Sequence, residues 1–85
     1  MKIAGRVIQN RNIIQNDKDY FEANYKHVKI VITTDHGFGK PDFDHLTRYS
    51  IDVYGRENGI YDVEAVKDFH TMNDAIRYAL EGACL

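Results

Sequence analysis

Eighty-five residues make one domain, and 44% apolar with 28% charged residues is the composition of a folded globular chain, not of a disordered one. A domain this short buries only about 60–65% of the surface its unfolded chain exposes, so its core is modest. One cysteine, Cys84, excludes an internal disulfide framework, and a net charge of −2 excludes a uniformly basic nucleic-acid binder.

The start, Met1-Lys2-Ile3-Ala4-Gly5-Arg6, lacks the apolar stretch of a signal peptide. No apolar run approaches the roughly 20 residues that a membrane-spanning helix needs. The expectation is therefore a cytoplasmic protein that does not touch membranes. Charge is divided unevenly. Residues 1–34 hold six Lys/Arg against three Asp/Glu, whereas residues 35–85 hold five against ten. An acidic second half suits a basic partner.

In chain order, residues 2–9 predict a strand that Gly5 weakens or bulges. The amide-rich stretch 9–16 predicts a loop. Asn16 or Asp17 is placed to cap a short helix over 17–25, with Tyr20, Phe21 and Tyr25 as its apolar positions. Residues 27–34 are β-branched, and Val28, Ile30 and Ile32 share one face of a strand. Residues Asp35 to Asp44, with Gly37, Gly39 and Pro41, predict a long loop.

Residues 46–54 and 60–67 predict a hairpin. Tyr49, Ile51 and Val53 lie on one face of its first strand, and Tyr61, Val63 and Ala65 on one face of its second. A two-residue Asn58-Gly59 loop would set Val53 opposite Glu64 and bury an acid. A three- or five-residue loop sets apolar against apolar. Glu57-Asn58-Gly59, as a type I turn ending in a left-handed glycine, fits that requirement.

The C-terminal segment predicts an amphipathic helix. Thr71 and Asp74 resemble a capping box. Met72, Ala75, Ile76, Ala79, Leu80 and Ala83 form one apolar stripe, and Gly82 is placed as its stop. The fold class is thus α+β: an antiparallel sheet of three to four strands with a C-terminal helix packed on one face, and a possible short helix near residues 17–25.

Candidate chemistry is sparse. The segment from Asp35 to His45 holds three Asp and two His, yet its spacing matches no zinc, calcium or H-E-x-x-H pattern. Gly37-Phe38-Gly39-Lys40 lacks the spacing and the following Ser/Thr of a phosphate loop. Ser50 and Cys84 have no base at a telling spacing, and His27, His36, His45 and His70 are scattered. No catalytic residue, metal or cofactor is expected, and the chain reads as a non-enzymatic binding module.

The hairpin's other face is the candidate partner site. It carries Arg48, Ser50, Asp52 and Tyr54 on one strand and Ile60, Asp62, Glu64 and Val66 on the next. Asp52 faces Asp62 with a five-residue loop and Glu64 with a three-residue loop, an acid against an acid either way. Asp52, Tyr54, Asp62 and Glu64, with Arg56 and Glu57 of the turn, are the residues expected to meet a basic protein surface.

The predicted helix–strand–strand–strand–helix order from residue 17 resembles the double-stranded-RNA-binding domain. The alternative that it implies is nucleic-acid binding through the basic first half: Lys2, Arg6, Arg11, Lys18, Lys26 and Lys29. That family holds phosphates with a lysine-rich start to its last helix. Here that start reads His70-Thr71-Met72-Asn73-Asp74, so direct nucleic-acid binding is not the leading expectation. The last 40 or so residues, a short sheet and then Phe69-His70-Thr71-Met72-Asn73-Asp74-Ala75-Ile76-Arg77-Tyr78-Ala79-Leu80, resemble the tail of small phage and prophage proteins. Some of those are inhibitors of host defence, anti-CRISPR proteins among them. The resemblance implies a partner that is a host protein or complex, met in the host cytoplasm.

Overall fold

A computed structural model describes residues 1–34 and 45–85. The expected loop Asp35–Asp44, with most of its candidate metal ligands and the phosphate-loop look-alike, lies outside the described residues. The chain forms β1 (Lys2–Ile3), β2 (Arg6–Val7), a 3-10 turn (Asn10–Asn12), β3 (Ile13–Asn16), β4 (Tyr20–Tyr25), β5 (Val28–Thr34), β6 (Thr47–Gly55), β7 (Tyr61–Phe69) and α1 (Met72–Gly82). The class is α+β, as expected. The sheet is larger than expected: five antiparallel strands in the order β3-β4-β5-β6-β7, beside a two-stranded β1-β2 hairpin.

Three predicted segments differ in the structure. Residues 2–9 are not one strand, because Ala4 and Gly5 both take left-handed φ (52° and 80°) and fold the segment back on itself. The stretch 13–16 is an edge strand rather than loop. Residues 20–25 are a strand rather than a helix, with Phe21 and Ala23 fully buried between half-buried Tyr20, Glu22 and Asn24. Period two, not 3.6, governs this segment. The double-stranded-RNA-binding topology fails with it, since its first helix is absent.

The core lies between one sheet face and α1. Phe21, Ala23, Val28, Ile30, Ile32, Tyr49, Ile51, Val53 and Val63 supply the sheet side. Met72, Ala75, Ile76, Ala79 and Leu80 supply the helix side, the stripe read from the sequence. Ile3 and Ile8 of the small hairpin close one flank. Burying an Ile, Leu, Val or Phe side chain stabilises by about 1.5–3 kcal/mol, so this single contact layer dominates the stability.

Both ends of α1 are closed by local chemistry. Thr71 Oγ accepts the Asp74 N–H (3.2 Å), as the capping pattern implied. The stop is not Gly82, which is still helical and abuts the sheet: a Cβ there would lie 3.1 Å from Val63 Cγ2. The turn is made by Cys84, at φ 58°. Its N–H bonds the Glu81 carbonyl (3.1 Å) and the Leu85 N–H bonds the Leu80 carbonyl (3.0 Å), the paired pattern of a Schellman cap.

Candidate functional site

The second face of the sheet carries the side chains that the core rejects. Among the described residues, no helix or strand packs on it. Register fixes its layout. One row runs Glu22, Val31, Asp52, Glu64 across β4 to β7, and the next runs Asn24, Lys29, Tyr54, Tyr61. The Asp52–Glu64 pairing is the one that a three-residue loop implies. The loop itself closes on Gly55 and Ile60 (Gly55 N–H to Ile60 carbonyl, 2.9 Å), with Arg56 to Asn58 and left-handed Gly59 (φ 68°) between them. One extra residue, Asp62, then bulges out of β7 and returns the ladder to Val53 opposite Val63.

That bulge corrects the position of Tyr61. The expectation put it on the covered face with Val63 and Ala65. It instead stands 52% exposed on the open face, its ring 5.4 Å from that of Tyr54. A one-residue offset is what moves a side chain between faces.

The charges on this face divide into satisfied and unsatisfied groups. Glu22 accepts a hydrogen bond from Tyr20 Oη (2.8 Å) and pairs with Lys29 Nζ (3.2 Å). Both hold its carboxyl below the ordinary value, the tyrosine bond most. Arg48 grips Asp68 with two prongs, Nε to Oδ1 at 2.8 Å and Nη2 to Oδ2 at 3.2 Å, and lowers the Asp68 carboxyl. Asp52 and Glu64 differ. Among the described residues, neither has a cation or a hydrogen-bond donor at bonding distance. Burial, and then the facing Glu64 carboxylate, push the Asp52 carboxyl above its ordinary value.

Of the expected site residues, Asp52, Tyr54 and Glu64 come together on the open face. Asp62 is exposed at the bulge, out of register with them. Arg56 and Glu57 belong to a separate place, the exposed turn at the hairpin tip, where Arg56 donates to the Lys26 carbonyl. Tyr20, Glu22, Lys29 and Tyr61 were missed as members of this face. The signal for the first two was the alternation in Tyr20-Phe21-Glu22-Ala23, overridden by the helix reading.

Lys18 and Lys26 sit at opposite ends of β4, Lys29 is paired with Glu22, and Arg6 donates to the Leu85 carbonyl. Among the described residues, no three His, Cys, Asp or Glu side chains converge as a metal site. His45 and His70 stack with ring centroids 4.9 Å apart. No helix among the described residues is long and apolar enough to cross a membrane. Comparison with protein-family models, curated proteins and solved structures finds no match to this chain.

Proposed function

We propose that this chain is a non-enzymatic protein-binding domain that meets a basic surface with the open face of its sheet. The observation that carries the reading is the Asp52–Glu64 pair: two carboxylates held opposite each other, with no compensating partner among the described residues, beside half-buried Tyr54 and exposed Tyr61. Juxtaposed acids weaken the isolated domain and are relieved by a lysine or arginine brought from outside. Tyrosines add large contact area at small entropic cost and are enriched at interfaces.

In its finer form, the partner is a host nucleic-acid-handling defence complex and the chain its phage-borne inhibitor. Such complexes expose basic surfaces to bind phosphates, and an acidic face suits them.

The test is affinity capture with quantified binding, comparing wild type with Asp52→Lys/Glu64→Lys. The expected result is one captured protein, basic at its contact, whose affinity falls at least tenfold with the double variant. Equal affinity would sink the reading. So would tight binding of duplex or single-stranded RNA or DNA at low salt, which would instead favour the nucleic-acid alternative.

A further inference from the structure

We propose that the outer edge of β7 receives an extended strand of the partner, with basic and apolar side chains alternating along it. This rests on the protein-binding reading above and adds how the partner is held. β7 is nine residues long and ends the sheet. Among the described residues, the backbone of Tyr61–Phe69 bonds no element except β6. Alternate N–H and C=O groups along the outer side are left for another chain, which is the basis of strand addition.

The two flanks of this edge differ in chemistry. A strand paired with β7 sends its side chains alternately to either face of the sheet. On the open side it would meet a shallow hollow formed by Ser50, Asp52, Tyr61, Glu64 and Val66. A side chain directly opposite Glu64 extends the acidic row by one position, where a lysine or arginine is the complement. On the helix side it would meet a second hollow, between the end of β7 and the flank of α1, lined by Phe69, Tyr78 and Asp74 with the Arg77–Glu81 pair. The Tyr78 ring lies 5.6 Å from Phe69 and carries Lys67 Nζ at 5.4 Å. The two rings form the apolar wall of this hollow, and the nearby Lys67 and Arg77 are already engaged, so an apolar side chain packs on the rings.

A second copy of this chain is the poorer occupant. Antiparallel pairing of two β7 edges leaves both helices on one side of the sheet and sets like charges opposite. Centred on Ala65, Asp62 meets Asp68; centred on Val66, Glu64 meets Asp68; centred on Glu64, that residue meets itself. Each such pair is unfavourable.

The probe is a synthetic peptide of alternating lysine and valine, beside the same peptide N-methylated at alternate residues, which keeps charge and removes backbone donors. Amide hydrogen exchange of the full chain is the readout. The expected result is binding of the first peptide with new protection of alternate amides between Val63 and Lys67. Affinity should fall at least tenfold on N-methylation and at least tenfold with Glu64→Lys. Equal binding of both peptides, or binding without protection in β7, overturns the edge proposal while leaving the acidic-face reading standing. No binding of either peptide, or protection of β7 by self-association without any peptide, also overturns it.

Discussion

Asp52 stands directly opposite Glu64 across the β6–β7 ladder, two acids where an opposite pair would stabilise the sheet. Burial and the Glu64 charge raise the Asp52 carboxyl. A carboxyl with a folded-state pKa above its unfolded one binds its proton more tightly in the fold. Its ionisation therefore lowers stability at neutral pH, and that loss is recovered as pH falls through the folded pKa. Asp52→Asn is expected to be more stable than wild type at pH 7 by about 0.2–1 kcal/mol. The advantage should shrink as pH drops into the carboxylate range. The lowered carboxyls of Glu22 and Asp68 pull the opposite way, but they are common to both proteins and cancel in the difference. Urea unfolding of both proteins at neutral and acid pH measures it; a pH-independent gap would contradict the account.

Leu80 is fully buried in the layer between α1 and the sheet. Leu80→Ala is expected to cost about 2–5 kcal/mol, the range for a large-to-small change that leaves a cavity. Total stability of such a domain is about 5–15 kcal/mol, so the transition should move far or vanish. An unchanged thermal midpoint would mean that α1 is not the cover of the core.

The apolar alternation of β5 to β7 and the 3.6-residue stripe of α1 were legible because burial selects them directly: Ile30, Ile51 and Ile76 are buried as their spacing implies. β4 was misread for a chemical reason. The sequence offers Asn16 or Asp17 as a helix cap, and Asp17 suits that role as a carboxylate accepting backbone N–H groups a few residues ahead. It does accept the Asp19 and Tyr20 N–H groups (2.9 and 2.8 Å), but it closes the turn between β3 and β4. Caps and such turns use the same bond, so the residue type alone does not separate them. The exposure of Tyr61 was illegible for another reason. The bulge at Asp62 leaves the hydrophobic pattern of β7 intact from Val63 onward and shifts only what precedes it.

The end of α1 offers a second stability test. Cys84 holds a left-handed φ of 58° at the position where a Schellman cap favours glycine. An L-residue there costs roughly 1–2 kcal/mol, which glycine avoids. Cys84→Gly is expected to raise stability by about 0.5–1 kcal/mol after glycine's extra unfolded-state freedom is offset. Cys84→Val, branched at Cβ, should lower it. Chemical denaturation of the three proteins decides; a less stable glycine variant would show that the thiol makes a contact beyond the cap.

The open face yields the most discriminating test, because stability and binding should move apart. Asp52→Lys turns the Asp52–Glu64 like-charge pair into an opposite pair within the same register. Val31 on the other side adds no charge, so the new ammonium meets no cation in its row. The gain should be on the order of 1 kcal/mol, which raises the midpoint of a domain this size by about 4–8 °C. A residue that the fold would exchange at a profit is a local conflict, and such conflicts concentrate at functional sites. The same substitution should therefore weaken the captured partner, with Asp52→Lys/Glu64→Lys at least tenfold weaker than wild type. A variant that folds better and binds worse locates the function on this face. If Asp52→Lys instead unfolds the domain, the face is covered rather than open, and the docking surface lies elsewhere.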